Sequence, residues 1–359
     1  MKRAYNFSAG PAMLPGPVIE RLQDEIGNWQ DTGMGAMEMS HRGAEFTSIA
    51  EKAETDLRDL LSIPESYRVL FMQGGATAQF AAVPMNLCAP GDTADYLVSG
   101  YWSRKALKEG ARFCQAHIVF DTADNNDTSI PEADQWRQSG TAAFTHYVDN
   151  ETIGGLRLPG VPEVDSTLVV DMSSSILSAP LKVEDYGLIY AGAQKNMGPA
   201  GLTIVIIRED LLNYQHGTIP AVLDYRKMAD SGSMLNTPPT FAWYTAGLVF
   251  EWALAQGGVE KLAARSQANA DRIYQAIDDS AFYSNPVAKK YRSLMNIPFM
   301  LADDSLDGLF LEQAAKHGLM SLKGHRSVGG MRASIYNAMP DEGIDALVEF
   351  MGEFERANG

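Results

Sequence analysis

The stretch "LIYAGAQKNMGPAGLTIVII", residues 188–207, sets one lysine, Lys195, between two runs of successive apolar residues. Apolar runs that do not alternate with polar residues read as strands covered on both faces, the pattern of a mainly parallel sheet under helices. Gly198, Pro199 and Gly201 turn the chain between the two runs. Lys195 is thus expected at the rim of a buried sheet, where an unpaired ammonium is costly. A lysine so placed usually lowers its pKa or reacts covalently.

Further β-rich runs precede it: "YRVLFM" (67–72), "ADYLVS" (94–99), "AFTHYV" (143–148) and "STLVVDM" (166–172). Helical patterns lie between and after them. In "FTSIAEKAETDLRDLLSI" (46–63) Phe46, Ile49, Ala53, Leu57 and Leu60 share one stripe, and "TFAWYTAGLVFEWALAQGG" (240–258) ends in a glycine pair that suits a helix stop. From about residue 258 helical patterns (258–278, 308–318) alternate with strand candidates "LMNIPFMLA" and "GGMRASIY", and "DEGIDALVEFMGEFERA" closes the chain as an amphipathic helix. The expected class is α/β: a large domain over 16–257 and a smaller α+β domain from 1–15 and 258–359.

Charge narrows the partners. With 29 basic and 45 acidic residues the 359-residue chain carries −16, which argues against nucleic acid or an anionic membrane. An anionic substrate would need a local cluster of cations working against that field. No apolar segment follows the first charges and no apolar run approaches a membrane span, so a cytoplasmic protein is expected. Cys88 and Cys114, the two cysteines, fit a reducing compartment and offer neither a disulfide framework nor a metal site.

The residues able to do chemistry cluster at predicted strand ends. Asp171 closes "LVVD", where open α/β sheets place their ligands, though it would equally cap the turn through Ser173 or Ser174. With Lys195 at the next strand end, the pair reads either as a buried ion pair or as a Schiff-base lysine with an aspartate holding a cationic ring nitrogen. In "FMQGGATAQFAAVPMNL" (71–87) a strand runs through Gly74 and Gly75 into a helix, whose first N–H groups favour a phosphate. Trp102 follows a strand directly; it is either core or a stacking face. Thr152, in "NETIGG", offers a hydroxyl to a ligand oxygen or to a turn. His41-Arg42 and His325-Arg326, with Arg332, supply guanidinium forks that match carboxylate and phosphate; surface ion pairs are the plainer alternative for each.

With these residues in view, the chain closely resembles the fold-type I aminotransferases that use pyridoxal 5′-phosphate (PLP), and among them the family that transaminates phosphoserine. The likeness runs from "NFSAGPAMLP" through "MEMSHRG", "AGAQKNMGPAGLTIVI" and "SMLNTPPTFAWY" to "LKGHRSVGGMRASIYNA". It implies a large domain with a mainly parallel seven-stranded sheet. It implies Lys195 as the Schiff-base lysine, Asp171 as partner of the pyridine nitrogen, and Trp102 stacked on the ring. Thr152 and Gln194 would contact the cofactor, and Ala76 and Thr77 its phosphate. Some relatives carry arginine at the place of Thr77, so this cup has one cation fewer. Asn236 and Thr237 match the pair that reaches the phosphate in the neighbouring subunit, implying a homodimer with shared sites. His41, Arg42, His325, Arg326 and Arg332 match the substrate-gripping positions. The implied reaction passes the amino group between glutamate and 3-phosphohydroxypyruvate in serine biosynthesis, with a phosphohydroxythreonine relative of pyridoxine biosynthesis as a second substrate.

Other readings fare worse. A cysteine desulfurase of the same fold needs a nucleophilic cysteine late in the chain, and none follows Cys114. An alanine–glyoxylate aminotransferase has little use for two His-Arg dipeptides. A nicotinamide-dependent dehydrogenase would need the glycine fingerprint that is missing here, and a non-catalytic DNA-binding regulator would need a basic surface.

Overall fold

The computed structural model describes residues 3–213 and 218–359. Its centre is a seven-stranded sheet of β1 (Tyr67–Met72), β2 (Thr93–Val98), β3 (Gln115–Asp121), β4 (Ala142–Val148), β5 (Thr167–Asp171), β6 (Leu188–Gly192) and β7 (Thr203–Arg208), in the order β1-β7-β6-β5-β4-β2-β3. All pairings from β3 across to β6 are parallel, and only β7 runs against its neighbours. The C-terminal ends of β2, β4, β5 and β6 therefore open on one edge, the edge at which a doubly covered sheet binds ligands.

The apolar runs are continuous because both faces are covered. Val170, Ile189 and Ile204 enter one core with α1 (Ala44–Leu61) and α4 (Thr240–Ala255), where Phe71 stacks on Trp243 at 4.1 Å and 12°. Their strand neighbours Val169, Leu188 and Val205 enter the opposite core with Phe80 and Val83 of α2 (Gly75–Leu87) and Ala106 of α3 (Tyr101–Gly110). At about 1.5–3 kcal/mol for each large apolar side chain fully buried, these two layers dominate the sheet's stability.

A third core joins Phe299 of the short strand Asn296–Leu301 with Ile273 and Ile277 of α5 (Gly258–Asp278), Phe310, and Phe350 and Phe354 of the closing helix α6 (Asp341–Asn358). Phe7 belongs to this core, and Tyr5–Asn6 pairs in parallel with Leu319–Met320. The first residues are thereby carried to the C-terminal part of the chain. Helix α5 crosses between cores: Val259 and Leu262 pack with α4, whereas Ala270, Ile273 and Ile277 pack with the third core. Between the two parts lies a polar seam. Asn150 Nδ2 donates to Asn296 Oδ1 at 2.8 Å, Asn296 Nδ2 to Ser334 Oγ at 2.9 Å, and the Asn337 backbone N–H to Asn196 Oδ1 at 2.9 Å.

Candidate active site

The site is built from strand ends inward. Asp171 is the last residue of β5, and its Cα partner on β6 is Tyr190, two residues before the strand ends. The carboxylate is buried and its Oδ1 accepts the Ser173 backbone N–H at 2.8 Å. Both sequence readings hold at once: Asp171 caps the turn and lines the cavity. Burial pushes its pKa above the usual carboxylate value, against the opposing pull of Ser173 and Lys195.

Lys195 follows β6 in the turn toward β7. Its Nζ donates to Thr152 Oγ1 at 2.6 Å. Burial lowers the ammonium to about 8; the nearby Asp171 charge opposes the shift and Arg332 adds to it. The amine is thus held by one hydroxyl and shares a cavity with the Asp171 carboxylate.

That cavity holds about 350 Å³ and is lined, among others, by Ala76, Thr77, Trp102, Thr152, Asp171, Gln194, Lys195, His325 and Arg332. Ala76 and Thr77 lie in the first turn of α2. Gly74 makes that entry possible: its φ is +97°, and a Cβ there would lie 2.5 Å from the Ala78 Cβ. The unpaired N–H groups of such a helix start suit an anion. Arg332, on the strand Met331–Ser334, donates from Nη1 to the Thr152 carbonyl at 3.2 Å, leaving its buried Nε without a partner. Trp102 Nε1 is likewise buried and unpartnered.

Five sequence candidates do not line this cavity: His41, Arg42, Arg326, Asn236 and Thr237. Arg42, Asn236, Thr237 and Arg326 are exposed, while His41 is partly buried with an unpartnered Nε2. The structure adds Ala9, Gly10, Tyr101, Asn150, Ser173 and Ser174 to the lining. Of these, Ser173 and Ser174 were in view only as turn partners of Asp171. No periodic signal marks Ala9 and Gly10, whose segment is tied to the site by the Tyr336 OH donating to the Ala9 carbonyl at 2.8 Å and the Ala12 N–H donating to the Gln194 carbonyl at 2.9 Å.

These residues fit PLP on the structure's own terms. A slot of suitable size lies between an indole and a sheet edge, with an amine and a carboxylate across it, a helix start for the phosphate, and unpartnered donors on Trp102 and Arg332 for oxygen atoms. Among the described residues no group of His, Cys, Asp and Glu is arranged to hold a metal ion, and no helix is long and apolar enough to cross a membrane.

Comparison with known proteins places this arrangement. The family profile described as aminotransferase class-V matches residues 4–347. The chain is 55% identical to a phosphoserine aminotransferase of Acinetobacter baumannii (strain ACICU), covering 99% of this chain and 100% of that one. It is 54% identical to the phosphoserine aminotransferase of Pseudomonas putida (strain KT2440), covering 100% and 99%. Among solved structures, the phosphoserine aminotransferase from Bacillus circulans subsp. alkalophilus superposes with a TM-score of 0.97 at 44% identity over the full length of both chains. The PLP-bound phosphoserine aminotransferase from Trichomonas vaginalis gives 0.94 at 41% identity, covering 98% of this chain and 100% of that one.

Proposed function

The chain belongs to the class-V aminotransferase family, and on that premise we propose that it moves the amino group between L-glutamate and 3-phosphohydroxypyruvate, giving O-phospho-L-serine and 2-oxoglutarate, with PLP as its cofactor. One observation carries the catalytic reading: a part-buried lysine with lowered proton affinity shares with a buried aspartate a slot walled by Trp102. The phosphorylated substrate is supported by the full-length likeness to phosphoserine aminotransferases.

Bound PLP supplies the carbonyl carbon that takes the amino group and a ring that accepts electron density. The chain's own residues do the rest. Lys195 anchors the cofactor and, when its amine is free, carries a proton to and from the substrate Cα; its lowered pKa lets it act as a base near neutrality. Asp171 would keep the ring nitrogen protonated. Trp102 would cover the ring and exclude water, Thr152 and Gln194 would hold the cofactor from the cavity wall, and the Ala76 and Thr77 end of α2 would take the phosphate. Arg332, part-buried and reaching into the cavity, binds the α-carboxylate common to both substrates. His325, also on the lining, would meet the substrate's distal group, with Arg326, the next residue, approaching from outside the cavity.

Asn236, Thr237, His41 and Arg42 have no role in their own chain's cavity, and exposed apolar side chains stand close to them in sequence. Met34 and Met37 (39% and 52% exposed) precede His41, and Leu235 (37%) precedes Asn236. Apolar exposure beside unused polar groups supports a homodimer in which Asn236 and Thr237 complete the partner's phosphate cup and His41 and Arg42 its substrate grip. The same reading assigns 16–257 to a large cofactor-binding domain, and 1–15 with 258–359 to a small domain that brings Arg332.

Steady-state kinetics test the substrate assignment. Arg332→Ala should raise KM for glutamate and for the phosphorylated acid alike, by about 10–100-fold for a lost charge-assisted contact. Arg42→Ala and Arg326→Ala should raise KM for the phosphorylated acid more than for glutamate. Equal effects from the latter pair would remove them from phosphate recognition. Running 3-phosphohydroxypyruvate beside the longer acceptor related to phosphohydroxythreonine decides whether the chain also serves pyridoxine biosynthesis.

A further inference from the structure

Glu151 takes no part in the chemistry above, yet it is 1% exposed and sits beside it. Its Oε2 accepts the Trp102 backbone N–H at 2.9 Å, and its Oε1 accepts the Ser103 N–H at 2.8 Å and the Ser103 hydroxyl at 2.7 Å. All three donors belong to the first turn of α3, so a carboxylate is buried at the positive end of a helix dipole in charge-assisted bonds. Ser103 Oγ passes the grip backward by accepting the N–H groups of Ser99 and Gly100, each at 2.9 Å. Gly100 makes room for this: a Cβ there would stand 2.7 Å from Glu151 Cδ and 2.8 Å from Cγ. On the other side, the next residue, Thr152, takes the hydrogen bond of Lys195 Nζ. The dipeptide 151–152 therefore grips the stacking side of the slot with one residue and the reactive amine with the other.

We propose that Glu151 is a positioning residue that fixes the start of α3, and with it the Trp102 ring, over the slot that receives the cofactor, and that Gly100 is required to admit it. This rests on the cofactor site proposed above. A helix cap without this role would affect folding alone. A positioning role reaches cofactor affinity through Trp102. In Glu151→Gln the side-chain amide turns a donor toward either the Trp102 N–H or the Ser103 pair, so one anchor is lost at nearly constant shape.

The test is a titration of cofactor-free protein with PLP, followed by visible circular dichroism, with thermal melts of the same samples. E151Q should raise the PLP dissociation constant about tenfold and reduce the induced dichroism. In a Trp102→Phe background it should change the constant less than twofold, because both act through one contact. Gly100→Ala, which keeps the carboxylate but displaces it, should reproduce the E151Q shift, and it decides the matter alone if E151Q does not fold. The proposal is overturned if E151Q binds PLP within twofold of the wild type, or if the tenfold loss persists in the Trp102→Phe background. Wild-type uptake of PLP, fixed on Lys195 by borohydride, carries the proposed cofactor site whichever way Glu151 behaves; absence of that uptake overturns both.

Discussion

Lys195→Met should abolish transamination, by at least about 10⁴-fold in kcat, while making the cofactor-free protein more stable near neutral pH. The first effect follows from giving one amine both anchoring and proton transfer; the proton step alone is typically worth ~10²–10⁴-fold. The second follows from linkage. Burial takes the ammonium from 10.5 to about 8 in the folded chain. Below pH 8 both states are protonated, and the fold carries the full cost of a desolvated charge, roughly 3–4 kcal/mol at 1.36 kcal/mol per unit. Between pH 8 and 10.5 the folded chain sheds its proton before the unfolded one, so wild-type stability climbs as pH rises and the advantage of the methionine variant shrinks. Methionine keeps the apolar stem of the side chain in place, which leaves the charge as the main difference. Denaturant titrations of both apoproteins at pH 7 and pH 10.5 check this. A variant less stable than the wild type at pH 7, or a gap independent of pH, would mean that the lysine is not desolvated. Retained turnover would remove Lys195 from the chemistry.

How much of this was legible in the sequence differs element by element. Strands that are buried on both faces announced themselves: the run at 67–72 is the observed Tyr67–Met72, 188–193 overruns Leu188–Gly192 by one residue, and 202–207 is offset by one residue from Thr203–Arg208. The strand Gln115–Asp121 gave no such signal. It lies at the sheet's edge with Ile118 exposed, so it lacks the uninterrupted apolar run that marks its neighbours. The glycine pair Gly257-Gly258 does end a helix as expected, but it also begins the next one, which starts at Gly258. At the site, residues on strand ends or helix starts were found because those places are predictable from topology: Asp171, Lys195, Trp102 and the first turn of α2. Ala9 and Gly10 were not, since what ties them in is a set of long-range hydrogen bonds, among them Tyr336 OH to the Ala9 carbonyl and the Ala12 N–H to the Gln194 carbonyl. Glu151 escaped notice for a different reason. A glutamate next to a threonine reads as surface until α3 is seen to begin directly above it. The role proposed for Asn236 and Thr237 was legible only by resemblance, because a single chain leaves them outside its own cavity.

Asp171→Asn should cost on the order of 10²–10³-fold in kcat and, like the lysine change, stabilise the cofactor-free fold. The asparagine keeps an oxygen for the Ser173 N–H, so the turn that Asp171 caps survives. What it loses is the negative charge that keeps a ring nitrogen protonated; removing one partner of a shielded pair costs about 3–5 kcal/mol. That loss falls on turnover more than on glutamate binding, because the charge is needed most when electron density moves into the ring. In the apoprotein the sign reverses. Burial raises the carboxyl pKa above its unfolded value even with the attraction of Lys195 counted. The group's favourable contribution is thus complete below the unfolded pKa and is lost as pH rises through the folded one. Above the unfolded value, ionising the carboxyl therefore costs the wild-type fold a desolvation penalty that the asparagine variant lacks. Thermal melts of the two apoproteins from pH 4 to pH 8 should therefore separate as pH increases, with Asp171→Asn the higher at the alkaline end. With PLP bound the order should invert, because the cofactor supplies the cation that this buried charge is waiting for. Apoprotein melts that coincide across the range would show that the carboxylate bears no burial cost. A holoenzyme of Asp171→Asn that outlasts the wild type on heating would show that Asp171 does not face a cationic ring.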